Sequence, residues 1–364
     1  MIPGIISFKK NSDELKSALW EGTLSIEGQL CRLIPREVLF VPSLEVPGAV
    51  GSVVFEVNPE NQFVRPSRWK IILQAIRPLA LGMSVFPFLV VLANGGWELG
   101  LDFSRVSAVV LFFVILLVQV SVHLSNDVQD HLRLVDRPGM VGGSGVIQKG
   151  WGSARILSAS SAILALSAFQ LCFRLIHQDS LGLYVLGAIG FLGAFQFSSP
   201  PFSLKYRSWG DAVIFLLGGP VLVLGVAQLL FHRWDWADFS LGLFFGGSAW
   251  AFFHSKRLQS FESDQQGGVS NWATLLGFKR SRHFLVMLYG LTYFSLLGGV
   301  IWTELPARVL CASLLALPLI FRQVSKVYRA SGPVSVYLGQ LRSEGLVIQF
   351  CLGTLALLGF LLKF

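Results

Sequence analysis

Long apolar runs separated by short polar connections occupy most of this chain. A helix needs about 20 mainly apolar residues to cross a bilayer, and nine runs meet that requirement. The pattern therefore predicts an all-α integral membrane protein with nine transmembrane helices. The nine runs cover approximately residues 71–94, 104–126, 153–175, 181–198, 210–231, 236–255, 281–303, 306–323 and 344–363.

The first 67 residues have a different pattern. The segments Thr23–Phe40 and Ser43–Val57 mix branched and aromatic residues with Gly and Pro, which predicts a few short β-strands. The segment before Arg68 lacks the basic start and apolar core of a cleavable signal. We expect a small cytoplasmic appendage at 1–67, serving as a packing or partner-contact module, followed by a membrane domain at 68–364.

Composition excludes several classes of protein. The 364 residues are 53% hydrophobic and only 14% charged, with a mean hydropathy of +0.62, which leaves too little polar surface for a soluble globule. The four cysteines are scattered and have neither a disulfide pattern nor the spacing of a zinc site. The net charge of +8 does not indicate a nucleic-acid partner, because the basic residues lie in short connections between apolar runs.

Lys and Arg are distributed unevenly among these connections, which predicts the orientation. Connections rich in Lys and Arg stay on the cytoplasmic side of a membrane, so the N-terminus is expected there and the C-terminus outside. The intervening connections hold little beyond Arg105, Arg174, Arg233 and Arg308. The residues assigned to the cytoplasmic side are Arg65, Arg68, Lys70, Arg133, Arg137, Lys149, Lys205, Arg207, Lys256, Arg257, Lys279, Arg280, Arg282, Arg322, Lys326, Arg329 and Arg342.

A cluster of acidic residues stands at the cytoplasmic end of the second predicted helix. If that helix continues through residue 130, Asn126, Asp127 and Asp130 share one face, and Asp136 follows shortly after it. Carboxylates are costly beside a bilayer and unfavourable at a helix C-terminus, so these acids need a cation. Oxygen ligands of this kind suit magnesium, which commonly bridges carboxylates to substrate phosphates. A solvated helix end is the competing interpretation.

Two connections carry candidate anion-binding groups. Gly142–Gly145 precedes Lys149, and small residues let backbone N–H groups approach an anion while the lysine adds charge. A flexible turn would explain the same glycines. After the fourth helix, Pro200–Pro201 ends the helix and the cations Lys205 and Arg207 follow. Membrane orientation alone would also explain these two cations.

The motif Asn126–Asp130 with Asp136, combined with nine predicted helices, resembles the UbiA-type intramembrane prenyltransferases. The spacing to Asp136 and the segment Val146–Gly150 are most similar to the 1,4-dihydroxy-2-naphthoate polyprenyltransferase branch, which makes menaquinone precursors. Gly145 stands where that branch usually has an arginine. The resemblance covers about residues 68–364 and leaves the N-terminal appendage unexplained.

A second acidic segment around Phe261 resembles the family's Asp-x-Glu-x-Asp motif, with Asp264 on the final Asp and Ser260 on the first. Residues 260 and 264 share a helical face, whereas Glu262 points roughly the other way and is a poor substitute. Lys256–Arg257 stands where the family commonly has asparagines. The missing carboxylate predicts a second magnesium site that is weaker, rearranged or lost.

The resemblance implies helices arranged around a central cavity and a magnesium-dependent transfer of a polyprenyl group from polyprenyl diphosphate to an aromatic quinone-precursor acceptor. Other acceptors within the family, and a member that binds the donor without turnover, remain alternatives. A transporter would instead place carboxylates near the bilayer midplane. The implied location is a bacterial inner membrane with active-site loops in the cytoplasm. The implied site comprises catalytic Asp127 and Asp130; the metal ligands Asn126, Asp127, Asp130 and Asp264; and substrate-binding Arg133, Asp136, Lys149, Lys205, Arg207 and Ser260.

Overall fold

The computed structural model describes residues 4–10, 12–26, 28–41, 49–136, 143–176, 181–266 and 269–362. These ranges are mostly helical and contain one antiparallel sheet. Strands β1 to β4 are Ile5–Lys9, Thr23–Ile26, Gln29–Val41 and Ala49–Pro59. Helices α1 to α14 are Asp13–Glu21, Arg68–Ile76, Pro78–Leu92, Arg105–Leu132, Ala154–Leu175, Leu181–Ser198, Trp209–Gly218, Pro220–Phe231, Trp236–Gln259, Phe261–Gln266, Trp272–Trp302, Ala307–Leu314, Leu317–Arg329 and Leu341–Leu361.

The predicted N-terminal strands are confirmed, and they form a four-stranded sheet in the order β1-β4-β3-β2. Alternation along β4 buries Val53, Phe55 and Val57 on one face, where α1 packs through Leu15 and Leu19. Helix α1 and strand β1 were not predicted. Residues 43–48 of the second predicted strand segment lie outside the described residues.

The chain divides into two compact units. The first contains the residues up to Pro78 together with Gln119–Leu166, and the second contains Leu79–Val118 together with the residues from Ser167 onward. Within the first unit, Leu132 and Leu134 pack against the core between the sheet and α1. The predicted boundary between residues 67 and 68 stays a prediction. The first unit contains both the sheet and the C-terminal end of α4, so it extends beyond the predicted appendage.

The described residues contain seven helical segments long and apolar enough to cross a membrane, or eight if α12 and α13, bent by 47°, form one span. The predicted count of nine is therefore not confirmed. The sixth predicted span corresponds to α9, a continuous helix that packs against α7, α8, α11 and α14. Most of α9 is buried, and its Gly, Ser and His residues make it less apolar. A helix surrounded by other helices meets protein rather than lipid, so it needs less apolar surface.

Close helix contacts in the second unit depend on small residues. Gly219, between α7 and α8, lies directly against α9, and a β-carbon there would come within 2.5 Å of the Cα atom of Gly246. Small residues at such crossings let helix backbones approach closely. This contact fixes α7, and with it the polar segment that precedes α7, relative to α9.

Candidate functional site

The break between α2 and α3 places an arginine beside the acidic cluster of the first unit. Arg77 caps α2 in the left-handed conformation, with φ of 56°, and Pro78 begins α3. A proline disfavours the helical conformation in the residue before it, which explains why the helix stops here. The Arg77 guanidinium forms an ion pair with Asp127. The backbone oxygen of Ile76 lies 2.9 Å from His123 Nδ1, which ties this break to α4.

Helix α4 continues through the acidic motif, as the sequence predicted. Asn126, Asp127 and Asp130 lie on one face and are 8%, 3% and 1% exposed. Asn126 Nδ2 donates a hydrogen bond of 3.2 Å to Asp130 Oδ2. The interpretation of these residues as a solvated helix end is wrong, because all three are buried.

Gly143 lies between the carboxylates of two of the aspartates, Asp127 and Asp136. The Gly143 N–H donates to Asp136 Oδ2 at 3.2 Å, and the Ser144 N–H donates to Asp127 Oδ1 at 3.3 Å. The Ser144 hydroxyl also donates to Asp127. A β-carbon at Gly143 would overlap Asp127 Oδ1 and lie 2.8 Å from Asp136 Oδ2, so only glycine fits between these carboxylates. Gln74 Nε2 holds the loop by donating to the Ser144 carbonyl at 2.5 Å.

The chemistry of this set of donors fits a magnesium ion. Asp127, Asp130 and Asp136 are buried carboxylates, and the Arg77 guanidinium pairs with one of them, so these four groups leave two negative charges. Among the described residues, no group of three or more His, Cys, Asp or Glu side chains is placed to hold a metal ion by itself. Magnesium does not need one, since it usually binds through one or two carboxylates, water and substrate phosphates.

The other cations predicted in this unit are at its surface. Arg133 is exposed just beyond α4. Lys149 is also exposed, and its Nζ lies 4.6 Å from the centre of the Trp151 ring. Two other residues from the sequence argument, Arg137 and Gly142, lie outside the described residues.

The N-terminal sheet holds the loop that follows the acidic cluster. Arg32 Nη1 donates to the Gly150 carbonyl at 2.9 Å, while its Nε and Nη2 bind the Glu60 carboxylate at 2.8 and 3.1 Å. The Arg32 guanidinium lowers the pKa of Glu60 from its usual value. His131 Nε2, next to Asp130 in α4, lies 3.0 Å from the Leu19 carbonyl oxygen in α1. The appendage thus contacts both ends of the segment between Asp130 and Gly150.

A second acidic cluster lies in the second unit, at the junction between the end of α9 and the start of α10. Asp264 Oδ2 accepts hydrogen bonds from the Ser260 hydroxyl at 3.1 Å and from Asn271 Nδ2 at 2.9 Å. Glu262 instead accepts a bond from Gln266 on an exposed surface, as expected from the helical periodicity. The glycines at 267–268 of this motif lie outside the described residues.

An arginine occupies the centre of this second cluster. Arg257 Nη1 lies 3.5 Å from Asp264 Oδ2, and Arg257 Nε lies 3.8 Å from Asp211 Oδ1. Arg257 Nη2 also donates to the Lys205 carbonyl at 3.1 Å. Asp211 accepts a further bond from the Trp272 N–H at 3.2 Å.

The sequence argument did not assign Arg77, Asp211 or Arg257 to the site. Arg77 and Asp211 each interrupt a predicted apolar run, and an ionisable residue inside such a run is itself a signal of function. In the sequence, Arg257 differed from its family only because it stands at a position where asparagine is common. Charge inside an apolar run was therefore the signal that could have found the first two.

The two cations after α6 differ in environment. Lys205 is buried, with its Nζ 5.5 Å from the centre of the Tyr206 ring, whereas Arg207 is exposed. Gly210 lies against this turn, where a β-carbon would come within 2.5 Å of the Leu204 carbonyl oxygen. The backbone carbonyl of Lys205 joins this turn to the second acidic cluster by accepting the hydrogen bond from Arg257.

Comparison with known proteins identifies the family. The UbiA prenyltransferase family matches residues 83–336, which is more than half of the chain. The 1,4-dihydroxy-2-naphthoate octaprenyltransferase of Escherichia coli (strain K12) is 25% identical over 291 residues, covering 76% of this chain and 90% of that protein. The UbiA prenyltransferase domain-containing protein 1 of Dictyostelium discoideum is 24% identical over 172 residues. That match covers 45% of this chain and 52% of the relative, so the chain spans about half of that protein's length.

A solved structure shares the fold. The UbiA homolog from Archaeoglobus fulgidus bound to GPP and Mg²⁺ matches with a TM-score of 0.57 at 14% sequence identity, covering 79% of this chain and 99% of that one. The predicted family resemblance and the predicted enzyme class, a prenyltransferase that transfers alkyl groups other than methyl, are confirmed at the level of the family. With more than half of its length matched and its fold shared, the chain belongs to the UbiA prenyltransferase family.

Proposed function

We propose that this protein transfers a polyprenyl group from polyprenyl diphosphate to an aromatic acceptor resembling 1,4-dihydroxy-2-naphthoate, in a magnesium-dependent reaction in the membrane. The observation that carries the proposal is the buried cluster of three carboxylates, Asp127, Asp130 and Asp136, beside the Asn126 amide. The name of the E. coli relative supports the acceptor. The A. fulgidus homolog bound to GPP and Mg²⁺ supports the donor and the metal.

Asn126, Asp127 and Asp130 would hold Mg²⁺, which when bound neutralises the diphosphate and makes it a better leaving group. Arg77 lies against Asp127, and a guanidinium in this position binds diphosphate oxygens through paired N–H groups. Lys149 and Arg133 are exposed in the same unit, so they attract the anionic donor toward it.

The transfer follows from a diphosphate fixed in this way. The allylic C–O bond of the donor breaks, and diphosphate leaves with the electron pair. An electron-rich ring carbon of the acceptor bonds to the resulting allylic carbocation, and the ring then loses a proton. The catalytic role of Asp127 and Asp130 would be to hold the cation that offsets the negative charge developing on the diphosphate. Because the Lys- and Arg-rich connections belong on the cytoplasmic side, we place this chemistry at the cytoplasmic face of a bacterial inner membrane.

The test uses purified full-length protein with Mg²⁺, a radiolabelled polyprenyl diphosphate and a panel of aromatic acceptors. Asp130→Asn removes one carboxylate from the cluster and should lower product formation by about 100-fold or more. Asp102→Asn is the matched control, because Asp102 is exposed just before α4 begins, at the far end of the same helix. It should leave the rate within about twofold.

Three results would contradict the proposal in different ways. Donor binding without product from any acceptor would mean that this family member is inactive. Product from another acceptor but not from a dihydroxynaphthoate would overturn the acceptor. Equal rates for Asp130→Asn and Asp102→Asn would remove the acidic cluster from the mechanism.

A further inference from the structure

The second acidic cluster carries its own cation. Asp211 and Asp264 are both buried, and buried carboxylates are retained as charges only when they are paired and hydrogen-bonded. Arg257 approaches each of them, at 3.8 and 3.5 Å, and is itself buried. The same guanidinium also donates to the backbone carbonyl of Lys205, which is itself buried.

The hydrogen bonds of Asp264 also leave little room for a metal. Its Oδ2 atom accepts bonds from Ser260 and Asn271 and faces the Arg257 guanidinium. A magnesium ion would have to lie about 2.0–2.1 Å from a carboxylate oxygen. On Asp264 it would meet the like charge of Arg257 in a buried environment, where repulsion is poorly screened. Asp127 also pairs with a guanidinium, that of Arg77, but Asp130 and Asp136 add two more buried carboxylates to its cluster, whereas Asp211 adds one to the cluster of Asp264.

The two clusters differ in their charge balance. In the first unit, Arg77 pairs with Asp127, which is one of three buried aspartates. In the second unit, two buried aspartates share Arg257. The residues of the first cluster therefore fit a divalent cation, and those of the second do not.

We infer that Arg257 takes the electrostatic place of a second magnesium ion, so that the Asp264 cluster binds no metal of its own. This inference rests on the proposed function and departs from the metal-ligand role that the family resemblance implied for Asp264. Ser260 stands where the family has a carboxylate, and its neutral hydroxyl agrees with the replacement of a metal ion by Arg257. A third carboxylate at this position would leave the cluster with an excess of negative charge. Arg257 is then a positioning residue that holds Asp211 and Asp264 in place.

Metal counting tests the inference without relying on turnover. Full-length protein in lipid nanodiscs is titrated with Mn²⁺ as a substitute for Mg²⁺, and free Mn²⁺ is followed by electron paramagnetic resonance. A polyprenyl thiodiphosphate, whose carbon–sulfur bond ionises slowly, is present throughout, and a titration without protein corrects for its own Mn²⁺ binding. The variants are Asp264→Asn, Ser260→Asp, and Ser260→Asp combined with Arg257→Gln.

Asp264→Asn should leave the number of bound Mn²⁺ ions and their affinity within about twofold of wild type, because no metal uses this carboxylate. Ser260→Asp alone should gain no ion, since Arg257 is still present. The double variant should bind one more Mn²⁺ than wild type, because three carboxylates are then left without the guanidinium. Adding Asp264→Asn to the double variant should remove the extra ion.

The inference is overturned if Asp264→Asn loses an ion or weakens Mn²⁺ binding by tenfold or more. It is also overturned if Ser260→Asp alone gains an ion, or if a double variant that unfolds cooperatively gains none. Should the double variant fail to fold, the comparison of Asp264→Asn with wild type still decides. A wild type that binds no Mn²⁺ would contradict the proposed function and not this inference. The inference concerns only the difference in bound Mn²⁺ between each variant and wild type.

Discussion

Arg32 Nη1 donates a hydrogen bond of 2.9 Å to the carbonyl oxygen of Gly150, although 118 residues separate them in the chain. Gly150 has a φ of +68°, and a β-carbon there would lie 3.1 Å from both Arg32 Cδ and Ile34 Cγ1. Glycine therefore permits both the turn and the close approach of β3. The sheet holds the loop whose other end, at Ser144, binds the carboxylate of Asp127.

Replacing Arg32 should loosen this loop. Arg32→Met removes the bond to the Gly150 carbonyl and two of the bonds to Glu60, which keeps Arg65 as a partner, and this should lower the free energy of unfolding by about 1.5–3 kcal/mol. Amide hydrogen exchange should accelerate in residues 143–152. Arg36→Met is the matched control, because Arg36 is exposed on the same strand. Equal exchange in the two variants would show that the sheet does not fix the loop.

The same contact predicts a dependence on pH. Arg32 lowers the pKa of Glu60 from its usual 4.5. A carboxyl group whose folded pKa is below its unfolded value stabilises the fold fully above the unfolded pKa, and this contribution is lost as the pH falls through the folded pKa. The unfolding temperature of wild type should therefore exceed that of Glu60→Gln at about pH 7, and the difference should shrink below about pH 4.5. Glu37→Gln, at an exposed position of β3, should show no such change.

Local sequence pattern was sufficient to place the residues that share a helix. The spacing of Asn126, Asp127 and Asp130 predicted one face of a continuous α4, and the structure has that helix through Leu132. The same periodicity separated Glu262 from Asp264. Both predictions use only the geometry of 3.6 residues per turn, which a single sequence carries.

Contacts between distant segments could not be predicted in this way. The pairing of Arg77 with Asp127 depends on how α2 ends, and the pairing of Arg257 with Asp211 depends on how α7 and α9 pack. Hydropathy also predicted α9 as one of nine equivalent membrane-spanning helices. In the structure, α9 is instead surrounded by other helices. Periodicity carries no information about which helices become neighbours.

Arg77 should contribute to binding of the diphosphate. Arg77→Met removes the guanidinium beside Asp127, and the loss of a charge-assisted pair should raise the KM for the donor by about tenfold or more. Arg77→Lys should recover only part of the loss, because an ammonium group cannot form the paired bonds of a guanidinium. Arg68→Met, at an exposed position of the same helix, should leave the KM unchanged. An unchanged KM in Arg77→Met would limit Arg77 to a structural role.

Gly143 should tolerate no side chain. The β-carbon of Gly143→Ala would overlap Asp127 Oδ1 and press on Asp136, so the two carboxylates would have to move apart. We expect Mn²⁺ affinity to fall by about tenfold or more, because metal sites lose binding when their ligands shift. Gly225→Ala is the control, since nothing lies within 4 Å of a β-carbon at that position of α8. Equal Mn²⁺ affinity in both variants would separate Gly143 from the metal site.

A buried ion pair in the second unit should be needed for stability rather than for chemistry. Asp238 is fully buried in α9, where it accepts hydrogen bonds from Arg233 at 2.9 Å and from Asn94 at 3.1 Å. Arg233→Met leaves a buried carboxylate without its cation, which should cost about 3–5 kcal/mol of unfolding free energy. Arg174→Met, at an exposed position in the last turn of α5, should cost little.

The double variant Arg233→Met with Asp238→Asn distinguishes charge from packing. Because asparagine carries no charge and can still bond Asn94, the double variant should be more stable than Arg233→Met alone by about 1–3 kcal/mol. Chemical denaturation in detergent micelles measures all three variants. A double variant no more stable than the single one would show that Arg233 contributes through packing, and that the burial of an unpaired charge at Asp238 is not the source of the loss.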